Sequence, residues 1–211
     1  MHVRNRTHPG QLTSEHIVQF FDTNESRAHH VAAFLAEGYA LGEPLIVVAR
    51  PVSWAALIEP LEVLGVRAPQ AVAEGMLVVK NADDLLRRIC RGGSPDPDLF
   101  DDYISKSLAV LAARGPRVRA YGEMVDILAE RDELPDAITL EGFWNVASER
   151  VPVYLLCGYS AAHFVSNAAH RALREICEAH SGVHRHANDP LASWLLTAAH
   201  NTAADSRTPR H

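Results

Sequence analysis

The sequence lacks the glycine-rich motifs that hold phosphates in nucleotide-dependent enzymes. It contains neither GxGxxG nor the P-loop pattern GxxxxGK[ST], and the segment DTNESRAHH (22–30), which follows the first predicted strand, has no glycine at all. A P-loop needs its glycines because backbone N–H groups must close around the phosphates. We therefore expect no ATP bound through a P-loop. The nucleophile elbow GxSxG of many hydrolases is also missing.

Paired cysteines, basic runs and long apolar runs are missing as well. The three cysteines form no CxxC pair, which favours a reducing compartment over a disulfide framework. No apolar segment follows Met1 as in a signal peptide, and no run approaches the ~18 apolar residues of a membrane span. The net charge is −6. These features predict a cytoplasmic protein that binds neither membranes nor, directly, nucleic acid.

Short apolar runs alternate with helical patterns along the chain. This alternation predicts an α/β fold with three layers, in which helices cover both faces of a mostly parallel sheet of five or more strands. We expect a loose arm over 1–14, one domain over 15–186, and a closing helix with a polar tail over 187–211. The predicted strands are 16–21, 44–49, 75–80, 117–121 and 151–159; the main predicted helices are 24–41, 52–64, 98–114, 123–130, 135–149 and 161–180, and 91–98 is predicted as a loop.

The stretch RVRAYGEM (117–124) places polar side chains where a predicted strand ends. In open α/β sheets ligands bind at the carboxyl ends of the strands, where Asp22, Glu123 and Tyr159 would lie. Gly122 would serve a turn or the close approach of a ligand. The competing interpretation is that Glu123 only stabilises the positive end of a helix. Nearby aromatic residues are predicted either as the wall of a cleft or as ordinary core.

The segment CEAHSGVHRH (177–186) is the strongest local metal pattern. On a continuous helix Cys177, His180 and His184 would share a face, with His186 close by. The alternative is a polar helix end that Gly182 terminates. Cys157 lies in an apolar run and is expected to pack as a small hydrophobe. A catalytic Cys–His pair stays an open alternative.

Five segments in order resemble one known family, the MEDS domain, a sensory domain of methanogen and methylotroph regulators that include a dichloromethane-responsive repressor. The resemblance covers residues 15–185 and is most specific in GEM (122–124) and in the segment from LEGFWN to LLCGY (140–159). It rests on HIVQFFDTNES (16–26), VAAFLAEGYALGEPLIVVARP (31–51), VRAYGEMVDILAE (118–130), TLEGFWNVASERVPVYLLCGYS (139–160) and ICEAHSGV (176–183).

The resemblance implies a RecA/KaiC-like core without its P-loop, acting as a signal input for kinase, anti-sigma or DNA-binding outputs. No output domain is predicted from this sequence. The matched residues are His16, Phe20, Asp22, Gly38, Gly42, Tyr121, Gly122, Glu123, Met124, Glu141, Trp144, Cys157, Tyr159 and His180. Among them, the predicted ligand-binding residues are His16, Phe20, Asp22, Tyr121, Glu123, Met124, Trp144 and Tyr159.

Together these observations predict a non-catalytic sensor that binds a small ligand or a signalling protein at the carboxyl edge of the sheet. The signalling protein would be a kinase, an anti-sigma factor or a transcription regulator. A homodimer through Leu191, Trp194 and Leu195 is also consistent with the sequence. The two alternatives are a metal- or haem-dependent sensor built on the 177–186 segment and a degenerate nucleotide-binding enzyme.

Overall fold

The fold of residues 13–165 and 169–184 is described from a computed structural model. Most of the predicted arm over 1–14 lies outside the described residues. So do the predicted closing helix over 187–211 and the dimer-forming residues within it.

A sheet of six parallel strands forms the centre of the domain, in the order β3-β2-β6-β7-β1-β8. All five predicted strands are present. The sixth, β8, was not predicted. The segment predicted as a loop over 91–98 instead carries most of a two-stranded hairpin, β4–β5, and the start of a helix. The strands are β1 (Glu15–Phe21), β2 (Leu45–Ala49), β3 (Leu77–Asn81), β4 (Cys90–Arg91), β5 (Ser94–Pro95), β6 (Val118–Gly122), β7 (Val153–Ser160) and β8 (Gly182–His184).

Helices follow the strands, as the alternating pattern predicts. The predicted helix over 98–114 is interrupted by a π-helical turn, Asp101–Ser105, and the one predicted over 161–180 starts as a 3-10 turn, Ala161–Phe164. The helix α3 was not predicted. The helices are α1 (Asn24–Ala40), α2 (Pro51–Val63), α3 (Ala68–Ala73), α4 (Ala82–Ile89), α5 (Pro97–Phe100), α6 (Lys106–Ala112), α7 (Met124–Glu130), α8 (Leu134–Arg150) and α9 (Ala169–Ala179).

The two faces of the sheet carry separate halves of the core, because successive side chains of a strand point to opposite faces. Ile17 and Phe21 of β1 pack with residues of α1, α2 and α3. Val18 and Phe20 of the same strand pack with residues of α4 to α9. The three-layer α/β prediction is therefore confirmed. None of the helices in the described ranges is both long and apolar enough to cross a membrane.

A buried group of ion pairs joins the amino-terminal ends of the strands to α1. Glu43, only 1 % exposed, accepts hydrogen bonds from Nε of Arg117 (2.9 Å) and Nε of Arg119 (2.7 Å). A Cβ on Gly38 would lie 2.5 Å from Arg119 Nε, so only glycine at this position of α1 leaves room for the arginine side chain. Gly42, with φ of +74°, follows α1 in the left-handed region that glycine adopts at helix ends. Gly38 and Gly42 therefore both have structural roles.

Candidate functional site

The predicted ligand-binding residues do not line one cleft, because they lie on both faces of the sheet. Tyr121 and Glu123 lie on the face covered by α1 and α2. Asp22 is exposed just after β1. The others are buried on the opposite side, with Trp144 packed edge-on against Phe100 at a centroid distance of 5.2 Å. Those buried on the opposite side are His16, Phe20, Met124, Trp144 and Tyr159.

Glu123 directly follows β6 and is completely buried. The hydroxyl group of Tyr121 donates to its Oε1 at 2.9 Å, and the backbone N–H of Arg50, after β2, donates to its Oε2 at 2.9 Å. Two adjacent strand ends thus fix this carboxylate. Gly122 does not serve a strained turn, because it is not among the glycines with positive φ and a Cβ there would make an ordinary contact of 3.9 Å with Trp144.

Arg27 of α1 links Glu123 to a second carboxylate, that of Asp126. Nη1 of Arg27 lies 2.8 Å from Asp126 Oδ2 and 3.6 Å from Glu123 Oε1. The other oxygen of Asp126 accepts a hydrogen bond from the backbone N–H of Ser160 (2.7 Å) and lies 3.1 Å from Nε2 of His163. Nε of Arg27 is buried and has no hydrogen-bond partner within the described part of the chain. This group therefore has an unused donor.

Sequence reasoning missed Arg27 and Asp126, although a signal for each was present. Asp126 stands three residues after Glu123, so the two acids fall on one side of the first helical turn. Arg27 stands on the same face of α1 as the apolar residues Val31 and Phe34, where a charge needs a buried partner. The identity of that partner depends on the tertiary structure.

Burial, together with the neighbouring Glu123 carboxylate, raises the pKa of Tyr121 well above its usual value. The phenol therefore keeps its proton at physiological pH. Its role is to donate a hydrogen bond to Glu123 rather than to act as a base.

A small cavity of about 60 Å³ lies between α1, α2 and the end of β6. Its polar wall contains Arg27, Tyr121 and Glu123. Its apolar wall consists of Ala28, Val52, Ala56 and Leu57. The cavity adjoins a groove of about 670 Å³ between α1 and α2, with which it shares Asn24, Ala28 and Ala56. A polar corner in an apolar pocket is the usual composition of a small-molecule site.

A second group of polar side chains is buried on the opposite face of the sheet. His16 from β1, Glu141 from α8, Cys157 from β7 and His180 from the end of α9 place one ligand-type atom each within 4.8 Å of one another. Nε2 of His16 lies 3.2 Å from Cys157 Sγ and 3.2 Å from Glu141 Oε2. Nε2 of His180 lies 3.4 Å from Glu141 Oε1. We call these four residues the histidine–thiol cluster.

Further contacts orient the members of the histidine–thiol cluster. Nδ1 of His180 lies 2.6 Å from the carbonyl oxygen of Ile176, and Nδ1 of His16 lies 2.8 Å from Oδ1 of Asn145. The hydroxyl group of Tyr159 donates to Glu141 Oε1 at 2.8 Å. All four members, and Tyr159, are among the residues that carry the family resemblance. Asn145 was missed, and its neighbour Trp144, which was singled out, packs in the core.

The segment proposed from sequence as a metal site contributes one residue, His180, to this cluster. Cys177 is half-buried on α9 and does not belong to the four-residue group. His184 lies in β8, which pairs with β1, so its backbone is not helical as the shared-face argument required. His186 lies outside the described residues. Cys157 is buried in the core as expected, and it also has polar partners.

The charges of the histidine–thiol cluster affect one another strongly. Burial alone would raise the pKa of Glu141. The adjacent His180 and His16 nevertheless hold this pKa well below its usual range. Burial, with the carboxylate of Glu141, raises the pKa of Cys157 well above its usual value. A neutral, fully buried thiol is a poor nucleophile. This weighs against a catalytic Cys–His pair.

The domain thus combines a three-layer α/β fold with a small cavity near the carboxyl ends of its strands. The chain matches the family model MEDS, the methanogen/methylotroph, DcmR sensory domain, over residues 15–181. The chain therefore belongs to the MEDS family of sensory domains, and the resemblance found in the sequence is confirmed. No significant match was found among curated proteins.

Proposed function

We propose that this domain is a non-catalytic sensor that binds a small, neutral, partly apolar molecule in the cavity beside Tyr121 and Glu123. The observation that carries the proposal is the buried Nε–H of Arg27, which has no partner in the described chain and belongs to a side chain lining the cavity. An unmet buried donor costs about 1–3 kcal/mol. A ligand with a hydrogen-bond acceptor would satisfy it.

The size and charge of the site restrict the ligand. A cavity of about 60 Å³ has room for only a few non-hydrogen atoms unless the ligand extends into the groove between α1 and α2. The guanidinium group of Arg27 pairs with Glu123 and Asp126, and that of Arg50 pairs with Glu130. Because each of these charges already has a partner of opposite sign, a neutral ligand suits the site better than an ion.

The same contacts support binding rather than catalysis. The ionisable groups that line the cavity are Arg27, Tyr121 and Glu123, and each is held by another protein group. The phenol keeps its proton, and the carboxylate already accepts two hydrogen bonds. The output of the sensor would be a regulatory partner protein, since a net charge of −6 disfavours direct binding to nucleic acid.

Native and denaturing mass spectrometry of the purified protein tests this proposal. We expect a small organic mass that denaturation releases from the wild type. Glu123→Gln and Tyr121→Phe should lose most of it, because each weakens the polar wall. The matched control is Asp22→Asn, which alters an exposed acid at the same edge and should retain the wild-type mass.

If the purified protein retains no organic mass, small alcohols, ketones and amides are screened by thermal shift. A compound that stabilises the wild type and Asp22→Asn, but not Glu123→Gln, supports the site. The proposal is wrong if any bound molecule stabilises Glu123→Gln and Tyr121→Phe as much as the wild type. It is also wrong if no compound of these classes shifts the wild type at millimolar concentration.

A further inference from the structure

We propose that His16, Glu141, Cys157 and His180 form a closed, tetrahedral zinc site that links β1 and β7 of the sheet to α8 and to the end of α9. This site is distinct from the ligand cavity, since it lies on the other face of the sheet. It also differs from the metal pattern seen in the sequence, because three of its four ligands come from outside residues 177–186.

Three of the six distances between ligand atoms of the cluster are close to those around a zinc ion. With Zn–N and Zn–O near 2.0–2.1 Å and Zn–S near 2.3 Å, the ligand atoms of a tetrahedral site lie about 3.3–3.6 Å apart. Nε2 of His16, Sγ of Cys157 and Oε2 of Glu141 lie 3.2 Å from one another in each pair. Nε2 of His180 lies 3.4 Å from the same carboxyl group. A zinc ion would fit between the four ligand atoms if these three moved slightly apart and Nε2 of His180, which lies within 4.8 Å of the others, turned toward it.

The hydrogen bonds outside the cluster fix both imidazoles in the orientation that a metal requires. A carbonyl oxygen only accepts, so Nδ1 of His180 carries the proton that it donates to Ile176. Nδ2 of Asn145 donates to the carbonyl of Ala179 (2.9 Å), which turns Oδ1 of Asn145 toward His16. Nδ1 of His16 is therefore also a donor. When the rings are neutral, each therefore presents the lone pair of Nε2 inward, as metal-bound histidines do.

Without a cation, this inward orientation leaves an unfavourable contact. Nε2 of His180 is buried and has no hydrogen-bond partner among the described residues, although a carboxylate oxygen lies 3.4 Å away. Two lone pairs that face each other repel unless a proton or a metal lies between them. Either a proton on Nε2 of His180 or a metal ion must therefore lie between these two atoms, and the inward arrangement of the other ligand atoms favours the metal.

The charges also balance with zinc in place. One thiolate, one carboxylate and two neutral imidazoles neutralise a dication, which suits a group in which every member is buried. On binding, the thiol proton of Cys157 leaves to solvent and the sulfur takes up the metal bond. Thiolate and imidazole donors favour zinc over magnesium or calcium. Four protein ligands leave no position for water, so the ion has a structural role.

Zinc content and cobalt spectroscopy of the full chain test the inference. The protein is purified from zinc-supplemented cells, and elemental analysis should find one zinc per chain. After refolding with Co²⁺ instead of zinc, a thiolate-to-cobalt charge-transfer band should appear. Cys157→Ser should lose this band and bind zinc more than about 100-fold more weakly, since even changes outside the ligand shell cost about 10–100-fold.

Two further variants separate a metal site from a merely buried thiol. Cys177→Ser, which alters a half-buried cysteine outside the cluster, should keep the zinc and the cobalt band. Asn145→Ala removes the acceptor for His16 Nδ1 but no ligand, and should weaken zinc binding by about 10–100-fold.

A wild type that contains no zinc and gives no cobalt band would overturn the inference, and the cluster would then hold a buried imidazolium–carboxylate pair. So would a band that survives Cys157→Ser and disappears in Cys177→Ser. Neither outcome bears on the proposed ligand cavity, because Glu123→Gln and Tyr121→Phe are tested by the organic mass that the protein retains.

Discussion

Glu43→Ala is expected to lower the free energy of unfolding by about 3–5 kcal/mol, the cost of breaking a buried ion pair by removing one partner. The carboxylate is 1 % exposed and binds Nε of both Arg117 and Arg119. Its removal leaves two guanidinium groups, which are 9 % and 1 % exposed, without their nearest counter-ion. Urea denaturation followed by circular dichroism measures the change.

Glu37→Ala is the matched control for Glu43→Ala. Glu37 also faces Arg119, at 3.4 Å, but its side chain is 67 % exposed. An exposed pair is worth about 0–1 kcal/mol, so this variant should unfold close to the wild type. Equal losses for the two variants would contradict the prediction. That result would mean that Arg119 is stabilised chiefly by its contacts with the rings of Phe34 and Tyr154, at 4.7 Å and 4.6 Å.

Local patterns were sufficient to predict most of the fold. The run LIVVA of β2 is buried on both faces, which is why it is continuously apolar. Thr23 caps α1 by accepting from the N–H of Ser26, as a short polar side chain before a helix predicts. The strand β8 was missed because it has only three residues and pairs solely with β1, more than 160 positions earlier. Nothing local distinguishes such a strand from a loop.

The site was predicted less well, because residue spacing does not reveal which face of the sheet a side chain occupies. Tyr121 and Tyr159 both lie near the carboxyl ends of neighbouring strands. One nevertheless binds Glu123 beside α1, and the other binds Glu141 beneath α8. The members of the histidine–thiol cluster are spread from position 16 to position 180. Only the strand order, with β1 between β7 and β8, brings them together.

Gly158→Ala is expected to destabilise the domain by about 1–3 kcal/mol through overpacking, and to disturb the ligand cavity. A Cβ at this position would lie 2.9 Å from the hydroxyl oxygen of Tyr121 and 3.2 Å from a ring carbon of Phe21. Tyr121 must then move away from Glu123. Urea denaturation gives the stability change, and the organic mass retained in native mass spectrometry should fall as it does for Tyr121→Phe.

Gly142→Ala is the control that shows whether crowding causes the destabilisation expected for Gly158→Ala. Gly142 is exposed in the interior of α8, and a Cβ there would point into open space, so alanine should stabilise the domain by about 0.5–1 kcal/mol. The two glycine-to-alanine changes are thus expected to shift the stability of the domain in opposite directions. Equal effects of the same sign would show that Gly158 is not needed to accommodate Tyr121.

A double-mutant cycle between Gly158→Ala and Tyr121→Phe isolates the contact itself. In the wild type, Tyr121→Phe leaves Glu123 Oε1 without its hydroxyl donor, which costs about 1–3 kcal/mol. In the Gly158→Ala background the same change also removes the nearest clashing atom, so it should cost less or even stabilise. Additive losses would mean that the ring of Tyr121 moves away from the added methyl group and still keeps its hydrogen bond to Glu123. A favourable coupling would show that glycine in β7 is what allows the tyrosine of β6 to hold the buried carboxylate in place.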